Sequence, residues 1–223
     1  MRTSKLAAVL CAAVLAVLIL SASIAAPILV RPFYYLQIDA LELPRQTGWS
    51  RETIREAYDQ VLDFCVLGKP FGTGQLRWSE EGRSHFQDVQ GLFRLDFALA
   101  GGSALGLAAL LLVRRRRGLA FYRFLGRGPG FWAGSLAAAA VAVVGVLAAL
   151  DFERAFVVFH ALFFPGKDNW IFDPAADQII LVMPEVFFRN CALLIGGVLA
   201  LCCAALVLWD LRRRPAGREA VPR

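Results

Sequence analysis

Charge is scarce in this 223-residue chain. Only 19% of its residues are Asp, Glu, Lys or Arg, against about 25% in an ordinary soluble domain. With 58% hydrophobic residues, that shortage excludes a soluble globular protein and an intrinsically disordered one. Cysteines are too poorly placed for a disulfide framework. Cys11, Cys191, Cys202 and Cys203 fall within apolar runs, and Cys65 alone lies outside them, where it reads as a small buried hydrophobe. The chain lacks G-x-S-x-G, H-E-x-x-H, a P-loop and C-x-x-C. These absences argue against a familiar serine hydrolase, a zincin, a nucleotide-driven pump and a thiol oxidoreductase. There are two histidines in all, His85 and His160, and neither sits in a metal-ligand spacing.

The apolar residues are collected into long runs. Leu6–Val30, Phe97–Val113, Gly128–Leu150 and Asn190–Trp209 carry no charged residue. Each approaches or exceeds the 17 to 25 residues, roughly, that cross a hydrocarbon core of about 30 Å. With flanking turns, the predicted spans are about 6–30, 92–113, 128–150 and 187–209. Segments 1–5, 114–127 and 210–223 together carry a net charge of +11, whereas 31–96 and 151–189 carry −5. Basic loops stay in the cytoplasm, so both termini are expected inside, with 31–91 and 151–186 outside. Arg114–Arg117 and Arg212–Arg214 are then topology anchors rather than a nucleic-acid surface, since no aromatic platform accompanies them. The first run also has features of a signal peptide, but it exceeds the usual apolar length of about 7 to 15 residues. Cleavage would still leave 31–91 outside. The fold class is therefore an all-α membrane protein with four transmembrane helices and a small extracytoplasmic cap.

Within the outer segments, Ser50 precedes Ile54, Ala57, Tyr58, Val61, Leu62 and Cys65 at helical spacing, and Gly68 and Pro70 end that pattern. A short strand is expected at Gln75–Trp78. Ser84-His85-Phe86-Gln87 matches a capping box, which predicts a helix starting at His85 and running into the second span. Helical spacing puts His85, Asp88, Val89 and Leu92 on one face. His160 lies in Phe156–Phe164, an almost wholly apolar stretch that Pro165 and Gly166 end. A histidine there needs a hydrogen bond or a chemical use. Two histidines assigned independently to one membrane face offer proton-transfer groups at an interface, with Asp88, Asp168, Asp173 and Asp177 available to orient a ring.

His85-Phe86-Gln87-Asp88-Val89 with Leu92-Phe93 resembles the first signature of the Lit family, the bacterial lipoprotein intramolecular transacylases. His160-Ala-Leu-Phe163-Phe164, Asn169-Trp170-Ile171-Phe172-Asp173-Pro174, Asp177, Ile179-Ile180, Pro184 and Phe187-Phe188 resemble its second. Gln90 stands where the family pattern has Lys. The resemblance implies an acyltransferase of the bacterial cell membrane with its active site at the outer face. Such an enzyme moves the sn-2 acyl chain of a diacylglyceryl-modified lipoprotein to the α-amino group of its own N-terminal cysteine, giving a lyso-form lipoprotein. On this reading His160 is the base and His85 the oxyanion or leaving-group partner. Asp88 and Asp173 orient the rings, while Phe86, Tyr35, Tyr58, Asn169, Trp170 and Asp177 bind substrate. No cofactor and no metal are expected. The expected partners are diacylglyceryl-modified lipoproteins and membrane lipids, not nucleic acid, and the oligomeric state stays open. Two other classes fit the residues alone: a non-catalytic membrane scaffold, and a bis-histidine haem electron carrier.

Overall fold

The computed structural model describes residues 2–213, in which nine helices and two short strands follow one another. Met1 and residues 214–223, including Arg214 of the second anchor run, lie outside the described residues. Four helices are long and apolar enough to cross a membrane: α1 (Lys5–Leu29), α5 (Glu80–Arg116), α6 (Pro129–Leu150) and α9 (Glu185–Arg212). Their apolar side chains largely point outward, with Leu105 74% and Leu150 78% exposed. Water would penalise such surfaces and lipid does not, so the outward apolar face fits a membrane protein. The remaining helices are α2 (Arg31–Ala40), α3 (Leu43–Thr47), α4 (Arg51–Leu67), α7 (Phe152–Phe163) and α8 (Ile179–Val182).

The chain forms two compact units. Among the described residues, one contains 2–23, 99–144 and 197–213. In it, β1 (Arg2–Ser4) pairs in parallel with β2 (Leu119–Phe121), a pairing the sequence pattern does not predict. Ile19, Leu199 and Cys203 form a small core. At Gly134 a Cβ would lie 2.9 Å from the carbonyl oxygen of Cys203, so only glycine lets α6 approach α9 this closely. Asp210 accepts from Arg123 at 3.1 Å and from the Gly128 amide at 3.0 Å. Replacing it strands a buried N–H and a guanidinium, which costs about 1–3 kcal/mol. Asp210→Ala is therefore expected to lower the thermal unfolding temperature in detergent, and an unchanged melting curve would refute this role.

The other unit contains residues 24–98 and 145–196. Its helix boundaries follow local signals. Ser50 Oγ caps α4 by accepting from the Thr53 amide at 3.1 Å, and Gly68, at φ 69°, supplies the left-handed residue that ends it. The apolar face of α4 anticipated from its spacing is buried, with Ile54 and Ala57 fully enclosed. Its centre is aromatic: Tyr34 stacks on Tyr58 at 3.8 Å between centroids, and Phe187 packs edge-on to Tyr34 at 5.2 Å. The Tyr34 hydroxyl donates to the Val182 carbonyl at 2.7 Å, tying α2 to α8.

Two local expectations are corrected. Gln75–Trp78 forms no strand but a turn, in which Thr73 Oγ1 donates to the Leu76 carbonyl at 2.6 Å. Helix α5 begins at Glu80, not His85, because Ser79 rather than Ser84 serves its N-terminus, its Oγ accepting from the Gly82 amide at 3.0 Å. At 37 residues α5 is about 55 Å long, well beyond the hydrocarbon thickness. Its uncharged stretch starts only at Phe97, twelve residues after His85.

Candidate active site

Helix α5 carries His85 and α7 carries His160, and the two rings meet with centroids 5.8 Å apart. Both are buried, at 7% and 5% exposure. His160 stacks on Trp170 at 4.3 Å and lies 4.3 Å from Phe156. Its Nδ1 is 2.7 Å from the Phe156 carbonyl, one turn back on α7. A carbonyl only accepts, so this bond assigns the proton to Nδ1 and leaves Nε2 with a free lone pair. His85 is held by aromatic edges instead, those of Phe164 at 5.1 Å and Phe172 at 5.5 Å. Its buried Nδ1 has no hydrogen-bond partner. Buried polar atoms are nearly always satisfied, so an unpartnered ring nitrogen here sets His85 apart from a purely structural histidine.

A polar strap lies beside the rings. Asp88, one turn after His85, accepts from Lys167 Nζ at 2.5 Å and from Asn169 Nδ2 at 3.2 Å. Asn169 Nδ2 also reaches Ser84 Oγ at 3.4 Å. Behind it, Asp177 accepts from the Ser79 amide at 2.8 Å and the Ser79 hydroxyl at 2.6 Å, and Gln178 pairs with the backbone of Arg77. These bonds fasten the loop after α7 to the start of α5, which sets the angle at which the histidines meet.

A family model of the lipoprotein intramolecular transacylase Lit matches residues 9–188, most of the chain. The chain belongs to the Lit family. That family is one of acyltransferases acting on lipoproteins. No curated protein matches the chain. The solved structure of the membrane integral lipoprotein intramolecular transacylase Lit from Bacillus cereus is similar in fold, with a TM-score of 0.81 at 23% identity, over 93% of this chain and 95% of that one. A histidine-to-arginine variant of the Bacillus cereus protein gives a TM-score of 0.76 at 22% identity, over 93% and 92% of the two chains. Both solved structures are of a membrane integral protein, matched over more than nine-tenths of each chain, and this chain has four helices long and apolar enough to cross a membrane, which agrees with the all-α membrane fold expected from the sequence.

Of the residues singled out from sequence in this Lit-family chain, His85, His160, Phe86, Asp88, Asn169 and Trp170 are neighbours. Phe86 packs 5.7 Å from both His85 and Phe172. Four others have different partners. Asp173 is exposed and caps its own turn by accepting from the Ala175 amide at 2.9 Å. Asp177 is engaged with Ser79, Tyr58 is stacked in the core, and the Tyr35 hydroxyl donates to Asp59 at 2.7 Å. Among the described residues no carboxylate lies within ion-pair distance of either imidazole. The Phe156 carbonyl orients His160, and Asp88 orients the strap. Sequence reasoning missed Lys167, Phe156, Phe164 and Phe172. The aromatic run around His160 marked Phe156 and Phe164 as apolar but not as neighbours of a ring, Phe172 entered only within the second signature, and Lys167 has no motif of its own.

Electrostatics divides the two rings. Burial lowers the His160 pKa below its ordinary 6.5, with the Phe156 hydrogen bond opposing. Burial, then the proximity of His160, lowers His85 to about 4. Burial raises the Asp88 carboxyl, but its bonds to Lys167 and Asn169 outweigh that and hold it below the usual carboxylate range. Near neutral pH the Lit-family chain thus presents two uncharged imidazoles beside an ionised Asp–Lys pair. The rings of Phe164 and Phe172 against His85 and of Trp170 against His160 also oppose the haem reading, since a porphyrin between the histidines would displace them.

Proposed function

We propose that this chain transfers the sn-2 acyl chain of a diacylglyceryl-modified lipoprotein to the α-amino group of the same N-terminal cysteine, at the outer face of the bacterial cell membrane. The observation that carries this reading is the buried histidine pair, in which the Phe156 carbonyl leaves His160 Nε2 as a base. The charge bias of the segments between the spans supports the outward placement, with both termini inside.

In the reaction, the substrate amine, uncharged after loss of a proton to solvent, attacks the ester carbonyl. His160 Nε2 takes a proton from the attacking nitrogen as the N–C bond forms. The His85 ring, whose Nδ1 is not engaged by the protein, donates an N–H to the carbonyl oxygen as it becomes negative. The bond from carbonyl carbon to sn-2 oxygen then breaks, and the proton held on His160 passes to that oxygen, leaving an amide and an alcohol. Nucleophile and ester belong to one molecule, so restricting its conformation supplies much of the acceleration. No acyl-enzyme is needed, in keeping with the missing nucleophile motif. Asp88, Lys167 and Asn169 hold the loop that carries Trp170 against His160.

The test is mass spectrometry of the N-terminal lipopeptide from a lipoprotein coexpressed with this chain in a host unable to N-acylate its lipoproteins. An N-acyl, monoacylglyceryl peptide is expected. Unchanged diacylglyceryl peptide, with the protein folded in the membrane, would overturn the proposal.

The pH dependence follows from the lowered histidines. His160 stays unprotonated above pH 6.5, whereas an α-ammonium group loses its proton near 7.7–8.0, approximately. From pH 6.5 to 8, kcat/KM should rise toward the substrate's own titration, with no second break from histidine. A break above 6.5 that disappears in a His160 variant would contradict this. Stability has the same sign. Below pH 6.5 the unfolded chain binds protons that the folded one resists, so stability is complete above 6.5 and falls on acidification toward the folded pKa values.

A further inference from the structure

Gly91 has no conformational reason to be glycine. It lies inside α5, a position where glycine is disfavoured relative to alanine, and a Cβ there would meet nothing within 4 Å. Neither a turn nor a close helix contact requires it. What the missing side chain leaves is space: Gly91 and Leu92 line one wall of a groove of about 350 Å³, and Phe163, Phe164 and Pro165 at the end of α7 line the other. That volume is in the range of small-ligand pockets, roughly 300–1,000 Å³.

The groove adjoins the histidine site, with Asp88 and Phe164 in its lining and both histidines just behind it. Phe164 belongs to both, packing edge-on to His85 at 5.1 Å while forming part of the groove wall. The lining also changes character along its length. Asp88 and Lys167, joined by their ion pair, stand on one side, and the rest is mainly hydrocarbon and aromatic surface. On α5 the order runs from Asp88 to Leu92, toward the uncharged stretch that begins at Phe97. A ligand with a polar group near His85 and an alkyl tail directed toward the bilayer matches that polarity.

We propose that this groove is the subsite for the transferring acyl chain, with Gly91 as its specificity-determining residue: the absent side chain makes room for the alkyl tail whose ester lies against His85. This rests on the transacylase reading above and adds where the chain lies and what limits its length. A side chain at 91 would project into the groove rather than into protein, so enlarging it obstructs the ligand and spares the fold.

The experiment compares synthetic diacylglyceryl lipopeptides with palmitoyl or octanoyl chains, incubated with purified full-length protein in detergent micelles. For wild type, turnover of either substrate tests the transacylase reading, and the variants then test the groove. Gly91→Phe is expected to reduce kcat/KM at least tenfold for the palmitoyl substrate while leaving the octanoyl substrate within about threefold of wild type. Gly91→Ala should fall between, with a melting temperature no lower than wild type. In the opposite direction, Phe163→Ala, which opens the far wall, should shift preference toward the longer chain. Equal losses on both chain lengths, or none, in a Gly91→Phe protein that melts normally would overturn the subsite, as would a groove occupied by bulk lipid only, shown by chain-length profiles that do not change in either variant. If Gly91→Phe fails to fold, an unchanged preference in Phe163→Ala overturns it instead.

Discussion

His160→Ala is expected to lower the rate of N-acylated lipopeptide formation by about 10²- to 10⁴-fold, the range for removal of a general base. The reason is geometric before it is electrostatic. The Phe156 carbonyl occupies Nδ1, so the only basic position on the ring is Nε2, and stacking on Trp170 prevents the ring from turning to exchange the two. Alanine removes both the base and a buried stacking surface, so a loss of activity alone would not separate chemistry from packing. His160→Gln separates them by retaining bulk and hydrogen-bonding capacity without a basic nitrogen. Both variants should be inactive, with His160→Gln melting closer to wild type. Product formation within threefold of wild type by either folded variant would remove His160 from the mechanism.

The spans were legible because charge is excluded from hydrocarbon over a fixed length, a rule that acts on composition and needs no tertiary information. The helix around Tyr58 was legible for a similar reason: Ser50 and Gly68 mark its ends by local hydrogen bonding and backbone freedom. What could not be read were choices made between distant segments. Ser84 matches the capping pattern, yet Ser79 is used, because Asp177, 98 residues away, binds its hydroxyl and fixes the chain there. Asp173 was plausible as a ring-orienting acid from its place after His160, but a short-range bond to Ala175 engages it first. Tyr58 belonged to an apolar face, and its partner Tyr34 comes from a helix the periodicity hardly distinguishes. The histidines were detectable through scarcity, two in the whole chain, whereas their 5.8 Å separation depends on the strap formed by Asp88, Lys167 and Asn169.

The second histidine should respond to substitution differently from the first. His85→Ala is expected to reduce turnover by about 10²- to 10³-fold, the effect of losing one donor to a developing oxyanion. Burial and the neighbouring His160 lower its pKa to about 4, so it is uncharged near neutrality and acts through an N–H bond, not by delivering a charge. An amide side chain can imitate such a donor. His85→Gln should therefore recover a measurable part of the activity lost in His85→Ala, while His160→Gln recovers none of that lost in His160→Ala. The rise of kcat/KM between pH 6.5 and 8 should persist in His85→Gln, because the group titrating there is the substrate amine. If instead His85→Gln were as inactive as His85→Ala and His160→Gln kept substantial turnover, the roles would be reversed, with His85 taking the proton and His160 stabilising the oxyanion.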